Sequence, residues 1–211
     1  MTGFMLTQTK IQADLDILAN THAAISDAIS VVGYPAERRQ PQGFETFASI
    51  IIGQQVSTSA ALAITNRVKA VVGGELNAGA IDRVSDEKLR AAGLSPQKLS
   101  YIRSLSQAVV TQELVVEDLP AMSDDEVVRT ITAVKGFGEW SAHMYLMFSL
   151  GRPDVWPTGD LAIRVGFGRM FGLAERPTPN QIRLAAEPLK PYRSAVSLLC
   201  WRYYGYIRSQ R

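Results

Sequence analysis

VKGFGEWSAHM, residues 134 to 144, sets two glycines one residue apart between stretches that otherwise read as helix. Upstream, SDDEVVRTITAV opens with Ser123 and Glu126 at the spacing of a capping box, and Asp124 and Asp125 load the first turn with charge that suits the helix dipole. Downstream, EWSAHMYLMFSL continues a helical pattern to about Leu150. The reading is helix, hairpin, helix. Gly136 and Gly138 permit positive φ in a tight turn and remove side chains that would keep a ligand from the backbone N–H groups. Those groups open the second helix, whose N-terminus carries positive partial charge and suits a phosphate. A plain helix–helix turn that needs glycine is the alternative for GFG alone.

The rest of the chain carries the same periodicity, with no hairpin-spaced strand pairs, so the expected fold class is all-α. Residues 8–30 read as one or two amphipathic helices, followed by a polar connector, YPAERRQPQG, at 34–43. FETFASIIIGQQVSTSAALAITNRVKAVVG reads as two helices with a polar interruption at GQQVS. In SDEKLRAAGLSPQKLSYIRSLSQAVV, Ser85 and Ser95 are the expected caps, the second with Pro96 at the first helical position. After the hairpin comes PDVWPTGDLAIRVGFGRMFG, in which Asp160 stands at the front of a further helix behind a Pro-Thr-Gly turn.

Composition narrows the class. The chain has 211 residues, 46% of them apolar, enough to bury a core as one domain or two small lobes. A single cysteine, Cys200, excludes a disulfide framework, a four-cysteine iron–sulfur cluster and a cysteine-rich zinc site, and reads as a core residue. MTGFMLTQTK lacks the pattern of a signal peptide and no run approaches a membrane span, so the expectation is a cytoplasmic protein with no membrane partner. Net charge is +2, yet residues 161–211 hold nine Lys and Arg against two acids, a pointer to a polyanion or, equally, a solvated basic face.

The glycine hairpin resembles the helix-hairpin-helix DNA-binding motif. Together with Asp160, about 22 residues beyond its second glycine, it is similar to the helix-hairpin-helix (HhH-GPD) DNA glycosylase superfamily. IIGQQVS (51–57), GFGEWSA and PYRSAVSLLCWRYY (191–204) sharpen the resemblance to the 3-methyladenine DNA glycosylase II type, over about Phe44 to Tyr204. Residues 1–43 are too few and too helical for the N-terminal β-domain of some members, so the compact form is expected. The implied architecture is two helical lobes, 1–43 with 157–211 and 44–156, with the active-site cleft and Asp160 at their junction. The implied activity is that of a monomer acting on double-stranded DNA that contains alkylated bases.

The resemblance also implies roles. Asp160 is the catalytic carboxylate; its plainer role is an N-cap, and the two are compatible. Trp140 and Trp201 match aromatic positions of the base pocket, with Phe44, Met144 and Trp156 as further candidates that fit a core equally well. Met144 and Arg202 stand where better-known relatives have tyrosine. Gln55, with Gln54 beside it, is the wedge that fills the gap left by a flipped base. Lys135, Gly136, Gly138 and Ser141 are the DNA-backbone contacts. The backbone carbonyls of Thr132, Val134 and Phe137 would hold a Na+ or K+ ion, with no other cofactor required. Relatives that also cut the strand carry a lysine where this chain has Trp140, so no lyase activity is expected. His143 is a phosphate neighbour or a surface residue rather than a general acid. Two alternatives stay open: a non-catalytic lesion-recognition protein of the same fold, and a glycosylase for deaminated or oxidised purines.

Overall fold

A computed structural model describes residues 3–210. The helices run in the order α1 (Gln8–Ala19), α2 (Ala23–Val32), α3 (Phe44–Gly53), α4 (Thr58–Val72), α5 (Ala78–Asp82), α6 (Asp86–Ala91), α7 (Pro96–Val110), α8 (Asp124–Ala133), α9 (Glu139–Phe148), α10 (Leu161–Met170), α11 (Pro179–Ala185) and α12 (Arg193–Ser209). Short 3-10 turns cover Val116–Ala121 and Glu187–Leu189. Among the described residues there is no strand, and no helix is long and apolar enough to cross a membrane.

Local chemistry explains most helix starts. Thr7, Ser57, Asn77 and Ser95 each accept a backbone N–H from the first turn of their helix, satisfying a donor that has no partner within the helix. Ser123 with Glu126 and Thr178 with Gln181 close full capping boxes. Ser85 sits at the N-cap of α6 without bonding that helix's backbone through its side chain.

Packing divides the chain into two units, residues 40–142 in one, and the residues up to Arg39 together with those from His143 onward in the other. The later boundary therefore falls inside α9 rather than near residue 156. The segment 152–156 is tied to the start of α12 in that second unit. Asp154 takes the Arg193 guanidinium through Nε at 2.7 Å and Nη2 at 2.8 Å. Ser194 donates its hydroxyl to the Arg152 carbonyl at 2.7 Å and accepts the Val155 N–H at 2.9 Å.

In the first unit, α3 buries Phe44, Phe47, Ala48, Ile51 and Ile52, the stripe of a 3.6-residue period, against α4 and α7. α7 buries Leu99, Ile102 and Leu105, and its Ser106 hydroxyl reaches the Ala78 carbonyl and the Asp82 carboxylate, both at 2.8 Å. Phe47 meets Phe137 of the hairpin edge-on at 5.5 Å.

In the second unit α12 is the central helix. Its run Ser194–Cys200 is buried on every face, packed by α1, α2 and α10. α10 lies so close that a Cβ on Gly166 would stand 2.3 Å from the Cys200 carbonyl oxygen. Only glycine admits that approach, and it sets where Trp201, the next residue of α12, stands relative to the start of α10.

Candidate functional site

The first unit carries the hairpin. α8 ends at Ala133, Val134 turns to an extended conformation (φ −82, ψ 125), and Gly136 takes φ +101. A Cβ at Gly136 would fall 2.4 Å from the Tyr101 ring of α7, so the glycine is required both by its conformation and by its neighbour. Gly138 differs from expectation. It does not adopt positive φ, and a Cβ there would meet nothing within 4 Å. The fold does not demand a bare backbone at Gly138, and the exposed position leaves room for a ligand. Its carbonyl accepts the N–H groups of Ser141 and Ala142 at 2.9 and 3.2 Å, which starts α9.

Lys135 is exposed beside this turn and donates to the Ser100 hydroxyl at 3.1 Å. Ser141 is 4% exposed, because it lies on the packed side of the first turn of α9; the structure does not offer it as a DNA-backbone contact. The carbonyls of Thr132, Val134 and Phe137 belong to the partially negative C-terminal end of α8 and the turn after it. An all-carbonyl donor set there fits a hard monovalent cation, although the Val134 oxygen already accepts the Phe137 N–H at 3.2 Å.

The two glutamines are placed differently. Gln55 is exposed at the tip of the loop after α3, with φ +56, a left-handed conformation uncommon for a residue other than glycine. Gln54 is half-buried, and its side-chain amide donates to the Gly136 carbonyl at 2.9 Å. Gln54 is therefore tied to the hairpin through one of its amide hydrogens, and the loop presents Gln55 at its tip. Lys98 closes the same region by donating Nζ to the Ile52 carbonyl at 2.8 Å, and partial burial lowers its pKa.

The second unit carries the carboxylate. Asp160 is the N-cap of α10, and its Oδ1 accepts the Ile163 N–H at 3.0 Å and the Trp201 indole N–H at 3.1 Å. The carboxylate is half-buried, held at its own helix by the cap and from α12 by the indole. The Trp201 ring lies 5.8 Å from the Phe148 ring, tilted by 37°, and the Arg38 guanidinium carbon lies 5.9 Å from its centroid. Cys200 is fully buried, and its thiol pKa is pushed up first by burial and then by the negative charge of Asp160. It is an inert core residue, as expected.

The remaining pocket candidates divide by burial. Trp140 is 47% exposed at the start of α9, whereas Met144 is 7% exposed. Phe44 and Trp156 are core residues rather than pocket walls. Phe44 is buried on the inner stripe of α3, and Trp156 packs edge-on to Phe167 while its N–H is taken by the Ile182 carbonyl at 3.1 Å. Arg202 donates Nε to the Val32 carbonyl at the end of α2, so it serves that helix terminus. His143 is half-buried on α9. The residues that sequence reasoning missed are Phe148, Lys98, Tyr101 and the Asp154–Arg193 pair. All of them lay in segments quoted beforehand, but nothing in the spacing marked them or paired Asp154 with Arg193.

Residues 48–191 match the family described as HhH-GPD superfamily base excision DNA repair protein. DNA-3-methyladenine glycosylase 1 of Schizosaccharomyces pombe is 31% identical over 169 residues, which cover 79% of this chain and 73% of that protein. The crystal structure of a DNA-3-methyladenine glycosidase from Bacillus halodurans superposes with a TM-score of 0.84 at 32% identity, covering 93% of this chain and 91% of that one. The S. pombe 3-methyladenine DNA glycosylase, solved in complex with abasic DNA, superposes with a TM-score of 0.81 at 28% identity, covering 90% and 95%.

Proposed function

The chain belongs to the HhH-GPD superfamily of base excision DNA repair proteins, and from that premise we propose that it is a monofunctional DNA glycosylase that removes N3- or N7-methylated purines from double-stranded DNA and leaves an abasic site. The observation that carries the reading is the Asp160 carboxylate, anchored by the Trp201 indole and by the first turn of α10. Breaking an N-glycosidic bond develops positive charge on the sugar, and a carboxylate fixed before the reaction stabilises that charge without reorganising. A base methylated at N3 or N7 is already cationic. It leaves without a dedicated general acid, and it stacks favourably on an aromatic face such as those of Trp140 and Trp201.

The first unit supplies the grip. The hairpin at Gly136 and Gly138, the N-terminus of α9 and Lys135 take the phosphate backbone, a salt-sensitive interaction. Gln55 fills the stack when the base leaves it, offsetting a cost of about a few kcal/mol. A Na+ or K+ ion would be held by the carbonyls of Thr132, Val134 and Phe137, and it would add positive charge next to a phosphate. Trp140 stands where a strand-cutting relative would carry its amine nucleophile, so no Schiff base forms and the strand stays whole. The S. pombe and B. halodurans proteins named above support the substrate class, and the abasic-DNA complex of the former supports DNA as the partner.

The test is chromatographic release of free bases from methylated duplex DNA. Wild type releases methylpurines and leaves the strand intact, and Asp160→Asn lowers the rate by at least about 100-fold. Damaged duplex bound by both proteins with no base released by either would establish lesion recognition in place of catalysis.

A further inference from the structure

We propose that Gln54 is a positioning residue: its side-chain amide straps the wedge loop to the hairpin, so that Gln55 and the phosphate-binding turn meet DNA as one preset unit. The proposal rests on the glycosylase reading above and gives the two adjacent glutamines different tasks.

Three observations carry it. The Gln54 amide reaches the Gly136 carbonyl at 2.9 Å, joining residues 82 apart in sequence. Gly136 is itself packed closely, with φ +101 and the Tyr101 ring so near that a Cβ would fall 2.4 Å from it. The loop also needs support. It borders an open cavity of about 220 Å³ lined by Gln54, Gln55, Val56, Ser95, Gln97 and Lys98, so on that side the loop faces open space. Polar bonds tie it down, among them Lys98 to the Ile52 carbonyl, the Gln54 backbone N–H to the Ile51 carbonyl and the Gln54 amide to Gly136. At the tip, Gln55 stays in a left-handed conformation that the chain adopts only when its surroundings impose it. Release of the Gln54 strap lets the tip relax over the cavity, and the wedge then meets the duplex unprepared.

The probe is a duplex carrying tetrahydrofuran as the abasic-site analogue with 2-aminopurine opposite it, whose fluorescence reports insertion of the wedge beside the orphaned base. Gln54→Met keeps length and loses the donor. Gln54→Glu keeps shape, cannot donate while ionised, and donates again when protonated. At pH 7.5 both variants should weaken the fluorescence-detected insertion equilibrium by about two- to twelvefold, the worth of one neutral hydrogen bond. Affinity of Gln54→Met for undamaged duplex should stay within about twofold. The sign with pH is set by the introduced carboxyl: with a reference pKa of about 4.3, about one-sixth of it is protonated at pH 5, so insertion by Gln54→Glu should recover in part relative to wild type as pH falls from 7.5 to 5, while Gln54→Met does not recover. Wild-type insertion by both variants at pH 7.5 overturns the proposal, as does an identical pH response in the two. Equal loss of undamaged-duplex binding and of thermal stability would mark a merely structural residue and overturns it too. Failure of the wild type itself to bind the lesion duplex removes the glycosylase reading and this proposal together.

Discussion

Replacing Gly166 by alanine puts a methyl group 2.3 Å from the Cys200 carbonyl oxygen, 2.9 Å from its carbonyl carbon and 3.1 Å from its Cα. All three are backbone atoms at the centre of the second unit, so no side chain can swing aside. Contact between carbon and oxygen becomes tolerable at about 3.3 Å, and the backbones of α10 and α12 must part by roughly 1 Å. Overpacking of this kind costs about 1–3 kcal/mol, and the better helix propensity of alanine returns up to about 1 kcal/mol. A net loss of about 1–2 kcal/mol lowers Tm by about 2–8 °C in a protein of this size. The displacement also falls next to Trp201, whose N–H lies 3.1 Å from Asp160, and a shift of this size takes that bond beyond hydrogen-bonding range. Gly166→Ala should therefore lower the single-turnover rate of base release more than about tenfold at a temperature where it is still folded. Gly138→Ala, with nothing within 4 Å of the added methyl, is the stability control. A Gly166→Ala protein that melts within about 1 °C of wild type and keeps its rate would refute the argument that this glycine sets the distance from Trp201 to Asp160.

Trp201→Phe keeps an aromatic ring near Phe148 and removes the indole donor to Asp160. A hydrogen bond to a charged group is worth about 1.5–3 kcal/mol, so the single-turnover rate should fall by about tenfold to a hundredfold, with affinity for tetrahydrofuran duplex changed less than about twofold; an unchanged rate would show that the cap alone orients the carboxylate. Glu139 places a negative charge in the first turn of α9, where a phosphate is proposed to bind, so Glu139→Gln should tighten duplex binding by about two- to fivefold at low salt, corresponding to roughly 0.3–1 kcal/mol, and titration by fluorescence anisotropy at two salt concentrations would expose a failure of that expectation.

What the sequence made legible is local chemistry. The capping box at Ser123, the glycine turn and the cap at Asp160 each depend on residues within four positions of one another, and each is found where the pattern placed it. What it hid is set by distant partners. Gln54 and Gln55 carry the same side chain, and only the Gly136 carbonyl, 82 residues away, distinguishes them. Trp156 and Trp201 are likewise chemically identical, yet one donates to the Ile182 carbonyl inside the core and the other to a half-buried carboxylate. Gly136 and Gly138 looked equivalent until the Tyr101 ring showed which of them the fold requires. Asp154, too, lies with the second unit and pairs with Arg193, a pairing that no periodicity encodes.

The unit that holds Asp160 is discontinuous along the chain, since residues 40–142 are inserted within it. Closing a flexible loop on the order of a hundred residues long costs about 4 kcal/mol of chain entropy, so α1 and α2 gain little by themselves and wait for α12 to arrive. The uninterrupted unit has no such wait. During synthesis its hairpin and glutamine loop are complete while the residues after 193 are still to be made, and a nascent chain therefore completes the turn proposed to bind phosphate before the indole that anchors its carboxylate.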